Sequence, residues 1–137
     1  YESNDALALE TFVRNLARGR VVSVKTDGEM APFIEQGKKL YEETRAGQLD
    51  MACGSCHTLY PGLKLRAQVL SQGQSNGFPT YRLANGRVVG VQTRISQCYD
   101  QFRADEYPYG SVENTLLELY MASRGNGLKI ETPAVRF

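Results

Sequence analysis

The sequence predicts a mainly α domain, and three observations favour this class. Residues 32–46 place apolar side chains at helical spacing, with charges on the opposite side, and residues 112–123 repeat that pattern. Residues 58–97 are rich in Gly, Pro, Ser, Gln and Asn and show little long periodicity, although 65–70 and 81–91 suit short helical or extended pieces. At 137 residues, the chain fits one domain and a short appendage.

The ends of both helices carry the expected signals. Pro32 suits the first turn of the first helix, and Gly47 suits its end. Ser111 is a candidate N-cap for the second helix, and Gly125 and Gly127 follow its last apolar residues.

Composition excludes two classes of function. No run of about 20 apolar residues is present, so we expect no membrane span. Lys and Arg number 16 against 15 acidic residues, and this balance argues against nucleic-acid binding.

Cys53, Cys56 and His57 form a C-x-x-C-H motif, which is typical of covalent attachment of a c-type haem. Each thiol would bond one vinyl group, and the histidine would ligate the iron from the proximal side. A zinc site would need about four ligands, which the three cysteines and one histidine could only just supply. A thioredoxin-like motif needs a βαβ context, and a plain disulfide needs no following histidine. We therefore expect one haem c, which is normally attached outside the cytoplasm, and a periplasmic protein.

The order of helix, attachment motif, long middle and helix matches a class-I cytochrome c. In that fold the N- and C-terminal helices cross around one covalently bound haem. Gly37 is the natural crossing point, because a missing Cβ lets two backbones approach. The alternative is a glycine that the helix merely tolerates.

Charge is distributed unevenly along the chain. No Asp or Glu lies between His57 and Cys98, and each flank has two more acids than bases. A basic middle can focus an anion toward the haem, or its arginines can pair with the haem propionates. Its basic residues are Lys64, Arg66, Arg82, Arg87 and Arg94.

Cys98 is left over once two thiols are bonded to haem. It is an inert buried residue, an intermolecular disulfide partner, or an iron ligand opposite His57. If residues 93–98 are helical, Arg94 shares its face and could stabilise a thiolate and hold an anion beside it. Lys64 or Arg66 could help Arg94 to neutralise the anion.

The other distal candidates are Met30, Met51 and Met121, of which Met51 is too near the motif and Met121 suits the core. With such a ligand in place of Cys98, the alternative function is a simple periplasmic electron-transfer cytochrome c that has no substrate.

Four stretches of the chain resemble the C-terminal haem domain of the SoxA family, the catalytic subunits of SoxAX cytochromes in bacterial thiosulfate oxidation. They are GQLDMACGSCH, LSQGQSNGFPTYRL, RISQC and LKIETPAVR.

The resemblance implies that His57 and Cys98 are the axial iron ligands, the cysteine often as a persulfide, and that Arg94 attracts thiosulfate. It implies a reaction that joins thiosulfate to a cysteine of the SoxYZ carrier and releases two electrons. A SoxX-type haem subunit and then a small cytochrome c would receive those electrons.

The chain is shorter than a usual two-domain SoxA. Residues 9–22 weakly resemble residues 117–130, which suggests the last helix of a preceding cytochrome-like domain. A chance match between two amphipathic helices is the alternative. We therefore predict a helix and linker over 1–29 and a cytochrome c haem domain over 30–137.

Overall fold

The computed structural model describes residues 1–137 and contains five helices and five short strands. The helices are α1 (Asn4–Leu16), α2 (Ala31–Glu42), α3 (Gly54–His57), α4 (Val91–Phe102) and α5 (Val112–Ser123), with a 3-10 turn over Gly28–Met30. The strands are β1 (Lys64–Leu65), β2 (Gln68–Val69), β3 (Thr80–Arg82), β4 (Arg87–Val89) and β5 (Ala134–Arg136).

Helices α2 and α5 cross at Gly37, as predicted. Gly37 is buried, and a Cβ added there would collide with the Leu116 carbonyl and lie 2.9 Å from Tyr120 Cβ. No side chain larger than hydrogen therefore fits between the two backbones.

Helix α2 ends at Glu42, so the prediction of a helix over 32–46 was four residues too long at its C-terminal end. The amide and hydroxyl of Thr44 both donate to the Lys39 carbonyl, at 3.0 and 3.2 Å, and close the last turn. Gly47, with a φ of +69°, lies in the turn that follows instead of at the helix end. Glu43 and Arg45 fit the helical spacing of polar residues in the sequence, but they lie beyond the end of α2.

Helix α5 has the predicted bounds. The Ser111 hydroxyl accepts a hydrogen bond from the Asn114 amide at 3.2 Å, which is the N-cap expected from the sequence. Gly127, with a φ of +85°, lies beyond its C-terminal end.

A three-stranded sheet of order β4-β3-β5 accompanies the helices, which make up 41% of the chain. Strand β3 pairs antiparallel with β4, where Thr80 faces Val89, and parallel with β5, where Thr80 faces Ala134. The mainly α prediction thus omitted this sheet, because strands of three residues carry too little periodicity to be detected.

Strands β1 and β2 form an exposed antiparallel hairpin just after α3. Lys64 faces Val69, and the Gly62 amide donates to the Leu70 carbonyl at 2.8 Å. The hairpin is therefore closed by its own backbone hydrogen bonds.

The hydrophobic core lies between α2, α4 and α5. Its buried members are Tyr41, Ile95, Tyr99, Leu117 and Met121. Cys53 and Val91 pack against this cluster from the edge, so the attachment motif touches the core directly.

Residues 1–29 are hydrogen-bonded to the segment that follows α5. The Gly19 amide donates to the Ile130 carbonyl at 2.9 Å, and the Val22 amide donates to the Leu128 carbonyl at 2.8 Å. The division of the chain near residue 30 stays a prediction.

Replacing Gly37 with alanine should destabilise the protein, because the new methyl group must separate α2 from the Leu116 carbonyl. We expect the free energy of unfolding to fall by about 2 kcal/mol, measured by chemical denaturation. The control Gln36→Ala changes an exposed residue of the same helix and should shift the value by less than about 0.5 kcal/mol. Equal stability of the two variants would contradict the close crossing.

Candidate functional site

The C-x-x-C-H motif forms one helical turn, α3, with Cys53 at its N-cap position. The amides of Cys56 and His57 both donate to the Cys53 carbonyl, at 3.2 and 3.1 Å. Three-residue spacing on this turn places the two thiols on one side of it. Gly54 is buried against the Glu42 carboxylate, and an added Cβ would collide with it, so a larger residue would displace the turn.

The His57 imidazole is held by the backbone of Ser71. Its Nδ1 lies 2.8 Å from the Ser71 carbonyl oxygen, and because a carbonyl only accepts, Nδ1 carries the proton. Nε2 is then the nitrogen available to a metal. Burial lowers the pKa of His57, the positive charges of Arg94 and Arg124 lower it further, and the hydrogen bond to Ser71 opposes this.

Helix α4 carries Arg94 and Cys98 one turn apart on the same face, as the helical interpretation of residues 93–98 predicted. Both side chains are partly buried. Burial raises the pKa of the Cys98 thiol, whereas the positive charges of Arg94 and Arg82 favour its thiolate. Burial also raises the pKa of Cys53 to about 12, and the charge of Cys98 contributes to this rise. A negative charge on Cys98 therefore acts on the Cys53 thiol and opposes its ionisation.

Arg82 was singled out in the sequence only as one of five basic residues, and its environment is unusual. It lies on β3 with 7% of its surface exposed, and its Nε has no hydrogen-bond partner. Its one side-chain hydrogen bond joins Nη2 to the neutral Gln68 Oε1 at 3.5 Å. A buried guanidinium without a carboxylate is costly, so this position suits an anionic ligand. Arg82, instead of the exposed Lys64 or Arg66, is the second cation whose charge reaches Cys98.

The N-terminus of α4 is capped by Glu2, a contact that the sequence did not reveal. The Glu2 carboxylate accepts hydrogen bonds from the amides of Gly90, Gln92 and Thr93, at 2.9 to 3.3 Å, and from the Thr93 hydroxyl at 2.5 Å. A carboxylate at this position satisfies free amides and complements the helix dipole. Glu2 thereby fixes the start of the helix that carries Arg94.

The three methionines that the sequence offered as alternative iron ligands lie in different parts of the fold. Met121 lies in the core with 9% of its surface exposed, as the sequence indicated. Met30 closes the 3-10 turn before α2, and Met51 lies two residues before Cys53.

The residues present fit a covalently bound haem. Two free thiols and an imidazole share one turn, and the imidazole already has its Nδ1 proton engaged. Two buried polar atoms, Tyr41 Oη and Arg82 Nε, have no hydrogen-bond partner, and the centre of the Tyr41 ring lies 6.4 Å from that of His57. Cys53 and Cys56 would form the thioether bonds, and His57 and Cys98 are the candidate metal ligands.

The family model for the SoxA/TsdA cytochrome c domain matches residues 36–130, which span the attachment turn, Arg94 and Cys98. The chain belongs to this family. The resemblance inferred from the four sequence stretches is therefore confirmed, and with it the cytochrome c character of the domain and its covalent haem c.

Two relatives of similar sequence are SoxA proteins, in agreement with the family model. The L-cysteine S-thiosulfotransferase subunit SoxA of Rhodovulum sulfidophilum is 46% identical over 136 residues, covering 99% of this chain and 47% of that protein. The subunit of the same name from Paracoccus pantotrophus is 50% identical over 120 residues, covering 88% of this chain and 41% of that protein. The chain thus spans about half the length of these relatives.

A solved structure, the crystal structure of SoxXA from P. pantotrophus, matches the SoxA/TsdA domain with a TM-score of 0.94 and 45% identity. The match covers 99% of this chain and 51% of that one. In the present chain, no helix combines the length and apolar character needed to cross a membrane.

Removing the Glu2 carboxylate should loosen the start of α4. We expect Glu2→Ala to lower the free energy of unfolding by about 1 kcal/mol and to speed hydrogen exchange at the amides of Gln92 and Thr93. Glu35→Ala, an exposed carboxylate on α2, is the control and should leave those amides unchanged. Unaltered exchange in the Glu2 variant would show that the cap does not stabilise α4.

Proposed function

We propose that this chain is the haem c domain of a thiosulfate-oxidising enzyme of the L-cysteine S-thiosulfotransferase type. The observation that carries the proposal is the pairing of Arg94 and Cys98 on one face of α4, with the buried Arg82 guanidinium acting on the same thiol. Arginines can pair with haem propionates in an electron carrier too, so the partly exposed Arg94, one helical turn from Cys98, is the cation that favours an enzyme acting on a dianion.

In this proposal, Cys53 and Cys56 would hold one haem c through thioether bonds, and His57 and Cys98 would ligate its iron. The different surroundings of His57 and Cys98 explain why each would serve as a ligand. His57 offers Nε2 because its Nδ1–H donates to the Ser71 carbonyl, whereas burial raises the pKa of the Cys98 thiol and the positive charges of Arg94 and Arg82 oppose that rise. When bound, haem c accepts electrons one at a time.

The reaction joins the outer sulfur of thiosulfate to the thiol sulfur of a carrier cysteine. The thiol loses its proton, an S–S bond forms, and two electrons leave, so that one S-thiosulfonate group, one proton and two electrons are produced. Because thiosulfate carries two negative charges and the product group carries one, positive charge at the site favours binding of the substrate.

Arg94 and Arg82 supply that positive charge. Arg94 is partly exposed and can meet an arriving anion, whereas Arg82 is buried and adds its positive charge at the same thiol. Guanidinium forks bind oxyanions through paired N–H donors, which suits the sulfonate end of thiosulfate. The sulfane end is then directed at the Cys98 sulfur.

The proposed partners follow from the relatives and from the chemistry. A SoxX-type cytochrome subunit, the SoxYZ carrier and a small cytochrome c acceptor would act with this domain in the periplasm. The matching crystal structure is that of a SoxXA assembly, and the names of the relatives specify transfer to a cysteine. Residues 30–137 would form the haem domain, and residues 1–29 would connect it to a preceding cytochrome-like domain.

Arg94→Ala should lower kcat/KM for thiosulfate by about a hundredfold, because the arriving dianion loses its exposed cation. The visible spectrum of the haem should be kept. Arg87→Ala removes an exposed arginine from the same basic segment and is the matched control. Wild-type turnover by the Arg94 variant would remove this residue from the mechanism.

Cys98→Met should abolish turnover and replace the EPR and near-infrared signatures of a thiolate ligand with those of methionine. Intact mass of the wild type should show one haem. The control Met121→Leu alters a core methionine at nearly constant volume and should leave both signatures unchanged. If only the Met121 variant changed the spectrum, the protein would be an electron-transfer cytochrome.

A further inference from the structure

Arg124, at the C-terminal end of α5, joins two backbone segments that surround His57. Its Nη2 donates to the His57 carbonyl at 3.2 Å, and its Nε donates to the Gln72 carbonyl at 2.5 Å. Gln72 Nε2 donates in return to the Arg124 carbonyl at 2.8 Å. No local pattern in the sequence indicates a role for this residue, because its partners lie 52 and 67 positions away.

The guanidinium is itself fixed on all sides. Its Nη1 forms an ion pair with Glu42 at 2.8 Å, and both side chains are less than one-fifth exposed. The Glu42 carboxylate also accepts hydrogen bonds from the Thr58 hydroxyl, at 2.8 and 2.9 Å, and from the Tyr120 hydroxyl at 3.1 Å. The guanidinium carbon lies 5.0 Å from the centre of the Tyr41 ring. These contacts leave the donors of Arg124 little freedom to move.

The two carbonyls that Arg124 binds belong to the segments that carry His57 and its hydrogen-bond partner Ser71. One carbonyl belongs to His57 and the other to Gln72. Gln72 follows Ser71, and the Ser71 carbonyl accepts the hydrogen bond from His57 Nδ1, with 2.8 Å between the nitrogen and the oxygen. The chain between these segments is an exposed hairpin that closes on itself. Arg124 therefore holds the backbone at His57 and at the residue next to Ser71.

We propose that Arg124 is a positioning residue that sets the strength of the hydrogen bond from His57 Nδ1 to Ser71 and, through it, the reduction potential of the haem. The inference rests on the ligation by His57 proposed above. A stronger hydrogen bond at Nδ1 makes the imidazole a more basic ligand, which favours ferric iron and lowers the potential. Loosening the Arg124 contacts should therefore raise it.

Arg124→Lys is the decisive variant, because it keeps the positive charge and loses the fork that reaches both carbonyls. In the ferric holoprotein, proton NMR should show exchange of the His57 Nδ1 proton accelerated by about tenfold, the equivalent of one charge-assisted hydrogen bond. The midpoint potential should rise. Arg45→Lys is the matched control, since Arg45 forms an exposed ion pair with Asp50, and neither quantity should change there.

Gln72→Ala is a second, uncharged variant for the case in which Arg124→Lys does not accumulate with haem. It removes the return hydrogen bond to the Arg124 carbonyl, and we expect a smaller change of both quantities in the same direction. Wild-type exchange and potential in the variants, even with lowered stability, would overturn the proposal and leave Arg124 a structural residue. A wild-type spectrum without a hyperfine-shifted His57 ring proton would instead overturn the ligand assignment on which the proposal rests.

Discussion

The close approach of α2 and α5 at Gly37 is the constraint on which the rest of the structure depends. With no Cβ between the backbones, Tyr41 and Leu117 meet in the core, and the C-terminal ends of both helices come together. Those ends carry Glu42 and Arg124, which form their ion pair beside the attachment turn. The helix crossing thus does more than build a core, because it brings a charged pair to the backbone of His57.

A second constraint is electrostatic, and it concerns the surroundings of Cys98. Arg82 is buried without a carboxylate, and Arg94 lies one helical turn from Cys98. Such an arrangement is unfavourable by itself and becomes favourable when the protein holds anions. The surroundings of the two residues differ accordingly: Arg124, the cation beside the His57 backbone, is paired with Glu42, whereas Arg82 and Arg94, whose charges act on Cys98, form no ion pair.

Local patterns in the sequence were sufficient where structure is set by neighbouring residues. The Ser111 cap and the apolar periodicity defined α5, and four-residue spacing placed Arg94 beside Cys98. The contacts of Glu2 with α4 and of Arg124 with His57 join residues 67 to 91 positions apart, and only the folded chain brings them together. The chemistry of the anion site came from the family resemblance, since composition alone left several roles open for Cys98.

The hairpin of β1 and β2 lies between two backbone segments that Arg124 binds, one at His57 and one at Gln72. Its two ends emerge from segments that Arg124 already fastens, and its own backbone hydrogen bonds close it. Its tip, between β1 and β2, lies outside these fastened segments, whereas Gln68 on β2 reaches back to Arg82. The tip is accordingly the place where an experimenter can graft a spectroscopic probe with the backbone of His57 and Gln72 still held by Arg124.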